Sequence, residues 1–164
     1  MARKLRIYLD TSAISYLDQQ DAPERMKETQ EAWEILKTGK YEIIISSLAL
    51  SEVSECNEEK QERLMDYIEE INYMEYEIDE EARELAKLVI QEGILTPKSI
   101  DDATHIAAAI LTESDIILSW NFKHLVNIDT INGIRKICFS KNINRFIDIY
   151  APNILLKRGE DDNE

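Results

Sequence analysis

A short stretch near the start of the chain predicts the first strand of an α/β fold. Apolar and polar residues alternate from Leu5 to Leu9, and this period of two is the pattern of a β-strand. The stretch stops at Asp10, Thr11 and Ser12, which can open a turn. Ligands of open α/β sheets bind in the crevice beyond the carboxyl ends of the parallel strands. We therefore expect Asp10 in that crevice, unless Asp10 or Ser12 only caps the next helix.

Further apolar runs predict four more strands, and the segments between them carry helical signals. Asp21 and Glu24 have the spacing of a capping box, and the Ser46-Ser47 pair can cap a short helix. Ser99 and Asp102 also have capping-box spacing, with Asp in the place of the usual Glu. The predicted strands cover residues 41–45, 73–78, 115–119 and 146–150. Further helices follow Asn57 and Asp79, and the spacing of the isoleucines at 128, 131, 134 and 137 predicts another.

A second carboxylate follows the second predicted strand. Glu52 lies about two helical turns beyond the end of that strand, in a short helix. If the first two strands are parallel neighbours, Glu52 comes close to Asp10. The alternative is an ordinary surface glutamate in an early helical turn, where a negative charge is favourable.

A third carboxylate, Asp102, lies in the first turn of the helix that begins near residue 100. From that position it would point into the same crevice, where Mg²⁺ or Mn²⁺ could use it as a hard oxygen ligand. Asp101 is left out, because a helix turns by about 100° per residue and Asp101 would face another direction. His105 lies one turn further on, where it either hydrogen-bonds one of the two aspartates or packs as a satisfied core histidine.

The fourth predicted strand is followed by an amide rather than a carboxylate. Asn121 occupies the position at which a further acid would complete the cluster. Its amide oxygen can bind a hard cation or orient a water molecule, but it adds no negative charge.

With these residues in chain order, the sequence resembles the PIN-domain family, including the VapC-type toxins of toxin–antitoxin modules. The resemblance spans roughly residues 5–155 and implies a three-layer α/β/α sandwich with a central, mostly parallel sheet of about five strands. The length of 164 residues fits one domain, over residues 1–156, and from its composition we expect the acidic tail over 157–164 to be disordered. The motifs that carry it are Tyr8-Leu9-Asp10-Thr11-Ser12, Ser51-Glu52, Asp102-Ala103-Thr104-His105-Ile106-Ala107 and Ser119-Trp120-Asn121-Phe122-Lys123-His124.

The resemblance also implies an activity, namely metal-dependent endonucleolytic cleavage of RNA. By position, Asp10, Glu52 and Asp102 match the three core metal-binding acids of the family. Asn121 stands where many members have a fourth Asp, and the chain looks like a branch with Trp-Asn-Phe-Lys-His at this motif. This departure weakens the case for a second tightly held metal ion.

The expected mechanism is hydrolysis of a phosphodiester by a metal-activated water. One or two Mg²⁺ or Mn²⁺ ions, if two then about 3.5–4 Å apart, would polarise the phosphate and lower the pKa of the water. In this hypothesis Asp10 and Asp102 are metal ligands, Glu52 is a ligand or a water-orienting base, and Asn121 is an auxiliary ligand. The supporting residues, Thr11 or Ser12, would hydrogen-bond Asp10 or its water.

Two other functions remain open at this point. Phosphatases that resemble the haloacid-dehalogenase group also have an aspartate after a strand, but they carry Asp-x-Asp, and Ser12 here takes the place of the second acid. A PIN-like module that binds RNA or a protein partner without turnover is the non-catalytic alternative. Asn121 and the acidic net charge favour the non-catalytic alternative, and the three retained acids disfavour it.

Charge changes this interpretation only in part. The net charge of −14 argues against a surface that attracts nucleic acid everywhere. It does not exclude a nuclease, because a bound cation reverses the local charge and basic residues can cluster near the substrate path. The candidate basic residues, which could equally be solvated surface charges, are Arg3, Lys4, Arg6, Lys123, Arg135, Lys136, Lys141 and Arg145.

Composition and the resemblance together predict the cellular location and the binding partners of the protein. No apolar run approaches the length of about 20 residues that a membrane span needs, and no signal-peptide pattern precedes the first strand, so we expect a cytoplasmic protein. Cys56 and Cys138 show neither a disulfide framework nor zinc-site spacing. The resemblance implies an RNA substrate, a small antitoxin as partner and a possible homodimer.

Overall fold

Five parallel strands form one sheet in the computed structural model, which describes residues 3–156. The strands are β1 (Arg6–Leu9), β2 (Glu42–Ser46), β3 (Met74–Tyr76), β4 (Ile116–Leu118) and β5 (Asp148–Tyr150). Their order in the sheet is β3-β2-β1-β4-β5, and every neighbouring pair is parallel. Strand β1 is therefore central, and the carboxyl ends of all five strands lie at one edge. The acidic tail expected over residues 157–164 lies outside the described residues.

Seven α-helices connect and cover the strands. They are α1 (Thr11–Ser15), α2 (Pro23–Leu36), α3 (Ser47–Ser54), α4 (Glu58–Glu69), α5 (Glu80–Gln91), α6 (Ile100–Leu111) and α7 (Ile128–Ser140), all within residues 3–156. Short 3₁₀ helices cover Tyr16–Asp18, Pro97–Ser99 and Pro152–Leu155. Within the described range, none of these helices has both the length and the apolar character needed to cross a lipid bilayer.

The two faces of the sheet bury separate apolar cores, because successive side chains of a strand point to opposite faces. On β1, Tyr8 contributes to a core that α5, α6 and α7 cover. Its neighbours Ile7 and Leu9 contribute to a second core, which side chains of α2, α3 and α4 complete. The result is a three-layer α/β/α sandwich, which confirms the predicted fold class, and it has the expected PIN-like architecture.

Small side chains let α6 pack closely in its layer. Ala103 and the alanines at 107–109 are fully buried, and the larger residues Ile106 and Ile110 of the same helix are buried with them. Alanine combines the best intrinsic helix propensity with the smallest packing radius of the apolar residues. The start of α6, where Asp102 lies, is therefore held in a fixed position relative to the sheet.

The two predicted capping boxes are wrong, whereas the simpler caps are confirmed. Helix α2 begins at Pro23 after Ala22 without a side-chain cap, and the carboxylate of Asp21 accepts a hydrogen bond from Gln19 instead. Proline suits this position because it has no N–H that needs a partner. Helix α6 follows directly from a 3₁₀ helix, so Ser99 lacks the extended backbone that a capping serine adopts. The confirmed caps are Ser46, Asn57 and Asp79, and Asn127 caps α7 without having been predicted.

Gly133 allows α7 to approach the loop after α5. A Cβ atom at this position would lie 2.6 Å from Cγ1 of Ile94. An alanine in the middle of a helix normally stabilises the folded state by about 1 kcal/mol relative to glycine. An extra methyl group in a space that is already filled destabilises the folded state by about 1–3 kcal/mol. The close approach therefore reverses the usual preference.

We expect Gly133→Ala to lower the free energy of unfolding by up to about 2 kcal/mol, because the added methyl group collides with Ile94 and the overpacking exceeds the gain in helix propensity. Urea denaturation measures the change. The same substitution in an Ile94→Ala background should be neutral or stabilising, because the collision is then absent. A Gly133→Ala protein at least as stable as the parent would show that Ile94 moves aside without penalty.

Candidate active site

Asp10 lies at the carboxyl end of the central strand and is almost completely buried, with 3% of its surface exposed. Its Oδ1 accepts hydrogen bonds from the backbone N–H of Ala13 at 2.9 Å and from Oγ of Ser12 at 2.7 Å. Its Oδ2 accepts a hydrogen bond of 2.5 Å from Oγ of Ser119. Asp10 therefore does cap α1, as the simpler interpretation proposed, and it also lies in the expected crevice.

Burial raises the pKa of the Asp10 carboxyl above its ordinary value, because the charged form loses its hydration. The positive charge that His105 can carry and the hydrogen bonds from Ser119 and Ser12 oppose this rise without cancelling it. A positive charge placed against Oδ2 would favour the ionised form further. Asp10 is thus a carboxylate whose surroundings favour a nearby cation.

Glu52 projects from α3 and accepts hydrogen bonds on one oxygen only. Its Oε1 lies 2.9 Å from Oγ1 of Thr11, the donor, and 2.9 Å from Nε2 of His105. Partial burial raises the pKa of Glu52, but the hydrogen bond and charge of His105 and the hydrogen bond from Thr11 outweigh it and hold that pKa below its ordinary value. Asp10 and Glu52 therefore have pKa values shifted in opposite directions.

A buried chain of hydrogen bonds orients His105. The hydroxyl of Tyr8 lies 2.6 Å from Nδ1 of His105 and 2.8 Å from Oγ of Ser46. Ser46 already accepts the N–H of Ala49, so its own hydrogen is available to Tyr8, and the hydrogen of Tyr8 to Nδ1. With Nδ1 accepting from Tyr8, Nε2 of His105 carries a hydrogen that it donates to Glu52, and no buried side-chain polar atom within residues 3–156 is left without a partner.

The predicted bond from His105 to an aspartate is therefore wrong, because the imidazole points to the glutamate. The alternative prediction, a buried and satisfied histidine, is confirmed. The reason is the direction of the side chain: Asp102 lies in the first turn of α6, and three residues later His105 faces the sheet and α3. The spacing along the chain indicated that His105 lies near Asp102, but it could not indicate that Glu52, on α3, is the partner of His105.

Asp102 is half-buried at the start of α6 and contacts the loop after β4. Its Oδ2 accepts a hydrogen bond of 3.2 Å from Nδ2 of Asn121 and lies 2.9 Å from Nδ1 of His124. Asn121 uses its Oδ1 within its own turn, where it accepts the backbone N–H of His124 at 2.9 Å. The structure thus brings the amide nitrogen of Asn121, rather than its oxygen, to Asp102.

Hydrogen bonds connect two of the acids, Asp10 and Asp102, at one edge of the sheet, and the third, Glu52, is held by Thr11, which follows Asp10 in the chain. The backbone N–H of Asn121 donates to Oγ of Ser119, and Ser119 donates to Asp10. The hydroxyl of Thr11, next to Asp10 in the chain, donates a hydrogen bond to Glu52. We call Asp10, Glu52 and Asp102 the acidic edge. Asp101 is exposed and lies outside this network, as predicted from its helical direction.

Both predicted supporting residues contact the acids, each a different one. Ser12 donates to Asp10, and Thr11 donates to Glu52. Sequence reasoning missed Ser119, His124 and Tyr8. Ser119 ends the predicted fourth strand beside Asp10 and could have been found from that position. Nothing in the local sequence pattern indicated that the hydroxyl of Tyr8 reaches α6, although a buried tyrosine hydroxyl needs a partner.

The side chains of the acidic edge fit a hard divalent cation by their chemistry. The hydrogen bonds to Glu52 and Asp102 use Oε1 and Oδ2, so Oε2 and Oδ1 remain open to a ligand among residues 3–156. In the same range, no three Asp, Glu, His or Cys side chains lie close enough together to form a ready-made metal cage. Mg²⁺ does not need one, since it usually keeps several waters and binds through one or two carboxylates.

We expect Asp10→Asn to become more stable relative to the parent protein as the pH rises from about 4 to 7 in EDTA. The raised pKa means that the folded state keeps a proton that the unfolded state releases near pH 3.8, so the stability of the parent falls through this window. Asparagine has no such titration. Urea unfolding across pH measures the difference, with Asp101→Asn as the exposed control. A constant difference between Asp10→Asn and the parent would contradict the raised pKa.

Comparison by sequence finds no protein-family model and no curated protein that matches the chain. Comparison by structure finds a likeness to a chain in the crystal structure of VapBC2 from Rickettsia felis bound to a DNA fragment from their promoter. The TM-score is 0.54 at 17% sequence identity, and the alignment covers 88% of this chain and 98% of that chain. At this identity the likeness concerns the fold, which agrees with the PIN-like architecture of the five-stranded sheet.

Proposed function

We propose that the protein is a metal-dependent endoribonuclease that hydrolyses RNA phosphodiester bonds, and that it is the toxin of a VapBC-type module. The observation that carries the activity is the acidic edge itself. Carboxylates from three separate segments of the chain lie beyond the carboxyl ends of the strands, where hydrogen bonds connect Asp10 to Asp102 and Thr11, the residue after Asp10, holds Glu52. The fold shared with the VapBC2 chain supports the assignment to a toxin–antitoxin module.

Asp10 and Asp102 are the residues proposed to hold Mg²⁺ or Mn²⁺. Oδ1 of Asp102 is open, and Oδ2 of Asp10 accepts one hydrogen bond and retains a second lone pair. When bound, such a cation lowers the pKa of a water molecule and stabilises negative charge on the phosphate. Asn121 acts on Asp102 in this proposal, since its amide nitrogen holds that carboxylate in place.

Glu52 is proposed to orient the attacking water rather than to store its proton. The lowered pKa keeps Glu52 ionised at neutral pH, and an ionised carboxylate accepts hydrogen bonds through its open Oε2. His105 and Thr11 fix the opposite oxygen, so the free oxygen has a defined direction. Such positioning counts because catalysis depends on the geometry of the reacting groups.

The charge of the acidic edge accounts for the proposed order of binding. Three carboxylates repel a phosphodiester, and a bound divalent cation removes that repulsion. The scissile phosphate therefore approaches the acids only after the metal has bound, whereas RNA contacts away from the acids do not require the metal. The VapBC2 structure holds a complex on promoter DNA, and by analogy we propose a small antitoxin as partner of this chain. We also propose a homodimer, which the resemblance of the sequence to the PIN-domain family implies.

A PIN-like module that binds RNA or a protein without turnover is the second candidate function. Two observations favour it: the amide oxygen of Asn121 is engaged in its own turn, and no three potential ligand side chains within residues 3–156 form a ready-made cage. The two functions differ in one measurable property, which is RNA hydrolysis that depends on both a divalent cation and the acidic edge.

We expect the purified protein to cleave labelled RNA in Mg²⁺ or Mn²⁺ and not in EDTA. Asp102→Asn and Glu52→Gln should each reduce the cleavage rate by about 10²-fold or more, because one removes a metal ligand and the other the group that orients the water. Asp101→Asn is the matched control, since it removes the same charge one residue away and outside the network. Calorimetric titration with Mn²⁺ should show weaker binding for Asp102→Asn only.

Equal activity of Asp101→Asn and Asp102→Asn would refute the assigned site. A folded parent protein that binds RNA but does not cleave it in either metal would establish the non-catalytic alternative. Cleavage that persists in EDTA would refute the metal requirement.

A further inference from the structure

Arg25 stands apart from the other arginines of residues 3–156. Its guanidinium lies 5.2 Å from the ring centre of Trp120 and 5.2 Å from that of Phe122, and it pairs with no carboxylate in this range. In a protein with a net charge of −14, an unpaired cation held only by aromatic rings is unusual. The arginines that do pair with carboxylates are Arg3, Arg6, Arg63, Arg83, Arg135 and Arg145.

The ion pairs also show that part of the predicted basic substrate path is wrong. Arg3, Arg6 and Arg145 are tied to acids at the amino-terminal ends of the strands, opposite the acidic edge. They cannot line a path to Asp10. Lys123 is the candidate that lies near the acidic edge, because it comes two residues after Asn121, which donates a hydrogen bond to Asp102.

Trp120 forms a fixed wall beside Arg25. Its backbone N–H donates to Oγ of Ser12 at 2.9 Å, and its indole N–H donates to Oγ1 of Thr29 at 2.8 Å. Thr29 also donates to the carbonyl oxygen of Arg25, one turn earlier on α2. The indole is nearly buried, so its position is set by the protein rather than by a ligand.

Phe122, in contrast, is exposed over 44% of its surface and lies one residue beyond Asn121. Besides contacting Arg25, Phe122 lines a cleft of about 320 Å³ together with Leu95, Lys123 and His124. His124 contacts Asp102, so this cleft adjoins the acidic edge. The cleft therefore has one aromatic side chain, one lysine and one aspartate, Asp129, and it reaches Asp102 through His124.

We propose that this cleft binds one unpaired nucleobase of the RNA substrate, stacked on Phe122, with Lys123 beside its phosphate. The proposal rests on the proposed nuclease function and defines which part of the substrate the site recognises. Aromatic rings beside cations are the usual elements of single-strand binding, because every base offers a π face and every linkage a negative charge. The volume lies at the lower end of the range for small-ligand sites, which suits one nucleotide rather than a duplex.

Arg25 has a positioning role in this proposal. Its guanidinium contacts both rings and so fixes the angle between the buried Trp120 and the exposed Phe122, whose ring centres lie 6.3 Å apart at 57°. A base inside a duplex is stacked on its neighbours and cannot enter such a cleft. The site therefore selects single-stranded segments, such as loops and unpaired ends.

The test is binding of a fluorescein-labelled single-stranded RNA oligonucleotide in EDTA, measured by fluorescence anisotropy beside the same strand annealed to its complement. Phe122→Leu keeps an apolar side chain and removes the ring, and we expect it to weaken single-strand binding by about tenfold. Phe122→Tyr keeps the ring and should bind like the parent. Neither variant should change binding of the duplex.

The chain provides a matched control at the opposite edge of the sheet. Phe146, which precedes β5, is exposed, and the guanidinium of Arg135 lies 5.8 Å from its ring centre. Phe146→Leu therefore removes the same ring beside the same kind of cation, far from the acidic edge, and should leave RNA affinity unchanged. Thermal unfolding of each variant shows that the fold is retained.

Several results would overturn the proposal: unchanged affinity of Phe122→Leu, an equal loss in Phe146→Leu, an equal loss for single strand and duplex, or no binding of the single strand by the parent protein. The proposed function can fail separately. A protein that shows Phe122-dependent binding and never cleaves RNA would refute the nuclease and leave the base-binding cleft in place.

Discussion

Burial of the Asp10 carboxyl at the end of the central strand is the constraint on which the site depends. A carboxylate in that position must be given hydrogen bonds, and three come from Ala13, Ser12 and Ser119. These donors join the start of α1 to the end of β4. Ser119 in turn fixes Asn121, and Asn121 fixes Asp102. One buried charge therefore sets the positions of side chains from three separate segments of the chain.

A hydrogen bond joins the two layers of helices at this edge. Glu52 belongs to α3, which covers one face of the sheet, and His105 belongs to α6, which covers the other. Their contact crosses the end of β1, and Tyr8 supports it from within the core. A shift of either helix layer would separate this pair. The arrangement of Glu52 is consequently a property of the whole sandwich rather than of α3 alone.

Sequence patterns were sufficient for the fold and for the membership of the acidic edge, since strand periodicity and the parallel order place Asp10, Glu52 and Asp102 at one end. They were insufficient for contacts between segments. The Ser99 capping box was wrong because a preceding 3₁₀ helix sets the backbone, and the partner of His105 was wrong because it lies on another helix. The importance of Arg25 could not be predicted either, because its aromatic partners are about 95 residues away along the chain.

The sheet has chemically opposite ends. At the amino-terminal ends of the strands, arginines neutralise Glu42, Glu113 and Asp115, whereas at the other end Asp10, Glu52 and Asp102 face no arginine or lysine partner among the described residues. The electric field of the molecule therefore concentrates there, and small cations arriving by diffusion are drawn to that end from within about one Debye length, roughly 8 Å at physiological ionic strength. Metal capture by this protein thus becomes slower as monovalent salt rises, even with every ligand unchanged.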